Sequence, residues 1–199
     1  MNHTKLSAPQ ALAELQAGHE RFVKAISKHP HSSQQRLHRL VNGQHPIAMV
    51  LSCSDSRVPI ELLFDVGFGD VFVIRNAGNA YTEGSVASIE YGLEALNINL
   101  LVVLGHEGCG AVSAACSNHD SLSPNLRHLV QHIRQELVEA EVCLDPEVAV
   151  RQHPVLTAQQ LIANSALVRE RVSSGELTIE PACYTFDHGK IEWFGSCQA

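Results

Sequence analysis

The chain has 199 residues, with 14 Lys and Arg against 21 Asp and Glu, and its formal net charge is −7. This length predicts a single globular domain whose core is large enough to fold without disulfides or structural metals. The acidic balance, without a basic block, argues against a nucleic-acid-binding protein. No apolar run approaches the roughly 20 residues of a membrane span, so we expect neither nucleic acid nor membrane as a partner.

The cysteine content points to a reducing compartment. Six cysteines are too few for a disulfide scaffold, and residues 1–10 lack the apolar core of a signal peptide. We therefore expect a cytoplasmic protein in which some thiols are available as metal ligands.

An N-terminal helical arm is predicted over residues 1–43 of a single domain that spans residues 1–199. Apolar side chains recur near a 3.6-residue period across residues 8–27, which indicates an amphipathic helix. A second, short helix is predicted to follow Ser33 and to end near Gly43. Such an arm can pack either on its own domain or on a partner subunit.

Short apolar runs alternate with helical patterns from residue 46 onward. Near-continuous apolar runs of strand length are typical of buried parallel strands, and they occupy residues 47–52, 71–75 and 100–104. Helical patterns follow these runs at residues 59–65, 85–96 and 110–116. The alternation predicts an α/β fold in which helices flank a central, mainly parallel sheet.

The rest of the chain is predicted to be helical and then to form a hairpin. Residues 124–172 have a mainly helical pattern, with interruptions around Asp145-Pro146 and His153-Pro154. Two strand-like runs, 177–185 and 190–194, are joined by turn residues and indicate a C-terminal β-hairpin.

Two segments that directly follow predicted strands carry nearly all the functional signal. The first contains Cys53, and the second contains His106 and Cys109. Because the carboxyl ends of neighbouring parallel strands line one crevice, we expect these three side chains to converge. Two thiolates and one imidazole suit zinc, and three protein ligands with an open fourth position are typical of a catalytic site. Either segment alone is weak evidence for a metal site, since a buried Cys after a strand is usually a small core residue.

Asp55 and Arg57 follow the first of these cysteines. An Asp two residues from a ligand can reach the metal or accept a hydrogen bond from a water there. The Arg57 guanidinium would then hold that carboxylate ionised and oriented, because the two groups match in a planar fork. The alternative is an ordinary ion pair that ties down a loop.

Five motifs in order, together with the site residues, make the sequence resemble the β-class carbonic anhydrases. The match extends from about residue 44 to residue 116 and continues more weakly through the C-terminal hairpin. The motifs are Gly43-Gln44, CSDSRV at 53–58, GDVFVIRNAGN at 69–79, SIEY at 88–91 and GHEGCG at 105–110.

The resemblance implies one zinc ion per chain, held by Cys53, His106 and Cys109, with Asp55 and Arg57 as the catalytic pair. It also implies a narrow pocket for CO2 or bicarbonate in a homodimer or dimer of dimers, whose partner subunit supplies some of the lining. The implied lining residues are Gln44, Phe72, Tyr91 and Gly110. Without the resemblance, Phe72 and Tyr91 could equally well be core residues. Gln44 could cap a loop, and Gly110 could be the first residue of a helix.

The activity that the resemblance implies is the zinc-dependent, reversible hydration of CO2 to bicarbonate and a proton. One alternative on the same site is hydrolysis of a CO2 analogue such as CS2 or COS. Another is a zinc-stabilised assembly protein without catalysis, although such a protein would not need Asp55 and Arg57.

A further expectation concerns the position of Asp55. Some members of the family move the equivalent aspartate onto the metal, and they share a Trp-x-Gly pattern immediately before the first Cys. This chain has Val50-Leu51-Ser52 there. We therefore expect Asp55 to stay paired with Arg57.

Overall fold

The computed structural model describes residues 5–117 and 121–198. Its helices are α1 (Ala8–Val23), α2 (Gln34–Arg39), α3 (Ile60–Leu63), α4 (Glu83–Glu94), α5 (Gly110–Ala115), α6 (Pro124–Glu139), α7 (Pro146–Asn164) and α8 (Ala166–Ser173). Its strands are β1 (Ala48–Cys53), β2 (Val71–Asn76), β3 (Leu100–His106), β4 (Thr178–Thr185) and β5 (Lys190–Trp193). A 3₁₀ turn, Ala77–Asn79, follows β2.

The five strands form one sheet in the order β2-β1-β3-β4-β5. The first four are parallel, and β5 returns antiparallel to β4 as the predicted C-terminal hairpin. Every residue of β1 and β3 is buried, because helices cover both faces of the sheet. The predicted α/β class with a mainly parallel central sheet is confirmed.

Alternating side chains of the sheet divide the core into two layers. Val50, Val102 and Leu104 face α1 and α3, whose Leu15 and Leu63 are fully buried against them. On the other face, a second cluster joins the sheet to α4, α7 and α8; its largest members are Met49, Leu51, Leu101, Ile89 and Leu161. Helix α1 of the predicted arm thus packs on the sheet of its own chain.

A third cluster closes the carboxyl end of β1 and β3. It brings Val112 of α5, Ile133 of α6 and Val150 of α7 around the buried Cys53 and Cys109. The site residues therefore lie where the sheet ends and the C-terminal helices pack over it.

The first helix is shorter than the predicted 8–27. Ser7 and Gln10 form a capping box at its start, but the helix ends at Val23 and Ala25 adopts a positive φ of 54°. The chain turns there because the backbone N–H groups of Lys28 and His29 donate to the buried carboxylate of Asp65.

One predicted interruption is confirmed and one is wrong. Asp145 caps the start of α7 through its carboxylate, so the chain does break there. At His153-Pro154, however, α7 continues as a helix. The Pro154 ring packs on Gly105 of β3, where a Cβ would come within 2.5 Å of the ring. Tertiary packing thus holds the helix despite the missing N–H of Pro154.

The structure bears on one further expectation from the sequence. None of the described helices is long and apolar enough to cross a membrane.

Candidate metal centre

The three candidate ligands converge at the carboxyl end of the sheet. Cys53 ends β1, His106 ends β3, and Cys109 lies just before α5. Strands β1 and β3 are paired neighbours, so their ends meet. The two Sγ atoms are 4.0 Å apart, and the ligand atoms of all three side chains lie within 4.8 Å of one another. All three residues are buried.

The imidazole of His106 is oriented by the backbone next to it. Its Nδ1 lies 2.8 Å from the carbonyl oxygen of Glu107, and a carbonyl only accepts, so Nδ1 carries the proton and donates. Its Nε2 is fully buried and has no hydrogen-bond partner among the described residues. A buried lone pair facing two thiols is the donor set that zinc prefers, so these residues fit that ion.

The two thiols differ in the direction of their pKa shifts. Their sulfurs are within hydrogen-bond distance of each other, and Cys53 Sγ also accepts from the Gly78 N–H at 3.4 Å. The bond from Cys109 lowers the pKa of Cys53, and the same bond together with burial raises the pKa of Cys109. Binding of a metal to both sulfurs would therefore release the proton of Cys109.

Asp55 and Arg57 form the pair expected beside the ligands. The guanidinium of Arg57 donates two hydrogen bonds to the Asp55 carboxylate, at 3.0 and 2.8 Å, and its backbone N–H donates a third at 2.9 Å. These bonds hold the pKa of Asp55 well below its usual range. Its Oδ2 is 3.9 Å from His106 Nε2, so an ionised oxygen borders the triad while it is paired with Arg57.

Arg57 is itself held from its other side. Its guanidinium carbon lies 4.2 Å from the centre of the Phe186 ring, a cation–π contact. The loop that carries Phe186 is tied to β3 because the Phe186 and Asp187 N–H groups donate to the Glu107 carboxylate. Glu107, the residue after the candidate ligand His106, thus anchors the hairpin that supports Arg57.

Arg75 is a further residue of the site; it lies within the 69–79 motif, although the sequence pattern predicts no role for it. It is the residue before the last of β2 and donates to the carbonyl oxygens of Cys53 and Asp55, at 3.0 and 2.7 Å. These two bonds fix the path of the loop that carries Asp55. The one signal in the sequence is a charged residue directly after the apolar run at residues 71–74.

Comparison with known proteins decides the family. The family model described as carbonic anhydrase matches residues 48–191. Carbonic anhydrase 2 of Mycobacterium tuberculosis is 36% identical over 194 residues, covering 95% of this chain and 92% of its own. The carbonic anhydrase of Mycolicibacterium smegmatis is 35% identical over 197 residues, covering 96% of this chain and 94% of its own.

Solved structures agree in fold. A tetrameric β-carbonic anhydrase from Sordaria macrospora superposes with a TM-score of 0.69 at 25% identity, covering 93% of this chain and 95% of that one. The β-carbonic anhydrase CafA of Aspergillus fumigatus gives 0.69 at 25% identity, covering 94% and 92%. The chain belongs to the β-class carbonic anhydrases.

Hydration of CO2 is the general reaction of the carbonic anhydrases, and in this chain Cys53, His106 and Cys109 form a site that could hold a metal ion. Of the residues expected to line the substrate pocket, Gly110 directly follows Cys109 and opens α5, and a Cβ there would meet open space.

The other three expected pocket residues lie away from the triad within one chain. Phe72 pairs with Met49, which precedes Cys53 by four residues in β1. Phe72 is therefore about 13 Å from the Cys53 end of the sheet, measured along the strand. The Tyr91 ring lies 6.0 Å from that of Phe72 and is half exposed. Gln44 is exposed in the segment before β1. This chain alone therefore does not bring these three side chains to the candidate metal site.

Proposed function

We propose that this chain hydrates CO2 reversibly to bicarbonate and a proton, with one zinc ion held by Cys53, His106 and Cys109. The observation that carries the proposal is the buried Cys-His-Cys triad bordered by an ionised aspartate that is paired with arginine. A zinc ion that only stabilised the fold would have no use for that pair.

Cys53, His106 and Cys109 would hold the ion through two sulfurs and one imidazole nitrogen, a donor set that suits zinc. A zinc ion held there would supply acidification of water, lowering its pKa towards neutrality. His106 offers Nε2 because Glu107 holds the proton on Nδ1.

Asp55 orients the attacking oxygen in this proposal. An ionised carboxylate only accepts hydrogen bonds, so Asp55 can accept the O–H of the attacking group and leave that group's lone pair free to face CO2. Arg57 keeps the carboxylate ionised and fixes its plane. A second water then replaces bicarbonate, and its proton leaves to solvent.

We also propose that the working enzyme is a homodimer or a dimer of dimers. Phe72 lies on β2, which is the first strand of the sheet and pairs only with β1 among the described strands. A partner subunit could therefore bring Phe72, Tyr91 and Gln44 to a site that its own chain leaves open. The tetrameric relatives from Sordaria macrospora support assembly of this kind.

The cytoplasm is the compartment we propose. All six cysteines are described, and every one is a free thiol. Free thiols, two of them needed at the metal centre, are compatible with a reducing compartment.

The test is stopped-flow CO2 hydration on the metal-analysed wild type and on Cys53→Ser, a variant that removes one ligand. We expect wild-type turnover and a loss of both zinc and activity in the variant. Turnover of CS2 or COS without CO2 hydration would assign the site to an analogue hydrolase. Bound zinc without any turnover would indicate an assembly protein instead.

A further inference from the structure

Two buried ionisable side chains lie behind the metal centre and take no part in the site described above. Glu136 of α6 is 4% exposed and His153 of α7 is fully buried. Glu136 Oε2 lies 3.6 Å from His153 Nδ1, and Oε1 lies 3.2 Å from Nε2 of the partly exposed His132. Burying ionisable groups costs free energy unless they are paired or hydrogen-bonded. The contacts of Glu136 and His153 therefore decide whether they can be buried here.

His153 connects this pair to the ligand Cys53 through one residue. Its Nε2 lies 2.8 Å from the carbonyl oxygen of Gly78, to which it donates. The backbone N–H of the same Gly78 donates to the sulfur of Cys53 at 3.4 Å. Gly78 is thus held at its carbonyl by α7, and its N–H points at a metal ligand.

Gly78 is also constrained by its conformation. Its φ is 76°, in the left-handed region, and a Cβ would come within 3.0 Å of Ala111 and Ile133. The turn therefore needs glycine, and glycine alone does not fix its own backbone. The bond from His153 supplies that restraint.

Burial favours the neutral state of both groups. Burial raises the pKa of Glu136 to about 7, with Glu139 adding to the rise, and burial lowers the pKa of His153 to about 4. A neutral His153 with its proton on Nε2 keeps the bond to Gly78, and its bare Nδ1 then faces the carboxyl of Glu136. A carbonyl oxygen passes no proton on, so this connection is a support and not an exit path.

We propose that His153, with Glu136 beside it, is a positioning residue for the metal ligand Cys53, and that it acts through the Gly78 turn. The proposal rests on the function proposed above, since it needs a metal at the site. Groups that support a ligand from outside commonly change metal affinity by about 10- to 100-fold.

The experiment compares His153→Met, which fills the space without a donor, with His153→Gln, which restores an N–H donor. The matched control is His19→Met, because His19 is also buried and bonds to the backbone, at Leu63 and Ile191. Two readouts are used: zinc affinity by chelator competition, and the thiolate-to-cobalt absorption band of the cobalt(II)-loaded protein.

We expect His153→Met to lose about 10- to 100-fold in zinc affinity and to shift the band. His153→Gln should lie closer to wild type than to His153→Met in both readouts. His19→Met should lower the melting temperature and leave affinity and band unchanged. Wild-type affinity and band in His153→Met, or equal losses in the Met and Gln variants, would overturn the proposal.

Should His153→Met fail to fold, Glu136→Met is the second variant. It leaves His153 in place but removes the group that faces Nδ1, and it should weaken zinc binding and shift the band in the same direction. Unchanged values would contradict the proposal. Wild-type protein that binds neither zinc nor cobalt would instead refute the proposed function, so the two failures are distinguishable.

Discussion

Asp55 lies at the boundary between the buried ligands and solvent, and Arg57 determines its state. The arginine donates to both carboxylate oxygens. The carboxylate therefore cannot turn away from Arg57 without losing a charge-assisted hydrogen bond. The expectation from Val50-Leu51-Ser52 that the aspartate stays off the metal remains a prediction. The role we propose for Asp55 is to orient a reactant and not to bind zinc.

The variant Asp55→Asn tests that role. It keeps the size of the side chain but loses the ionised acceptor, so we expect CO2 hydration to fall by about 100-fold or more. Zinc content should stay at the wild-type level, because Asp55 is not a ligand. Loss of zinc in this variant would show that the carboxylate binds the metal after all.

The convergence of the three candidate ligands could be predicted from the sequence, but the residues that hold the surrounding backbone in place could not. Cys53 and His106 end two strands whose apolar runs are plain in the sequence, so adjacency in a parallel sheet follows. Arg75 and His153 act on backbone carbonyl oxygens. Every residue type has the same backbone carbonyl group. The sequence pattern therefore does not show which side chain will bond to a given carbonyl oxygen.

At the level of secondary structure, the boundaries of the helices depend on distant contacts. The strands and the helices between them lie close to their predicted positions because burial on both faces fixes them. The end of α1 and the continuity of α7 through Pro154 depend on Asp65 and Gly105, which are far away in sequence. The local sequence pattern alone therefore does not predict where α1 ends or that α7 continues.

The carboxylate of Asp65 anchors the segment between α1 and α2. It is fully buried and accepts from Arg21 at 2.5 Å and from the backbone of Lys28 and His29. Burial works to raise its pKa, but these N–H donors prevail and lower it. A lowered pKa means that the stabilisation is complete above the ordinary aspartate pKa of about 4 and disappears as the pH falls through the lower, folded-state value.

Asp65→Asn should therefore reduce the free energy of unfolding by about 3 kcal/mol at pH 7, because it leaves Arg21 without a charged partner. The difference from wild type should shrink as the pH is lowered towards 3. Denaturant unfolding at both pH values measures this. Glu20→Gln is the control, since Glu20 forms an exposed ion pair with Lys24. This variant should change the free energy of unfolding by less than about 1 kcal/mol. A difference that grows at low pH would refute the assignment.

At the level of the whole molecule, one chain holds the metal site but not the whole expected pocket. Gln44, Phe72 and Tyr91 lie towards the opposite end of β1 from Cys53. Their role in the pocket followed from resemblance, and it depends on an assembly that no pattern within one chain specifies.

Light scattering at micromolar concentration, combined with the activity of the same sample, tests that assembly. We expect a dimer or a tetramer, with isologous contacts of the commonest kind. Dilution that produces monomers should also abolish activity, because the pocket is then incomplete. A monomer that retains full activity would contradict the shared pocket and confine Phe72 and Tyr91 to packing.

The central claim is that one zinc ion at the Cys53, His106 and Cys109 site supports CO2 hydration. The most direct measurement is the CO2 hydration rate of chelator-treated protein as zinc is added back in known amounts. Because the triad is the one group of three or more metal-binding side chains found in residues 5–117 and 121–198, we expect the rate to rise linearly and to level off at one zinc per chain. A rate that stays at the uncatalysed level after zinc is restored, or activity that persists without metal, would contradict the claim.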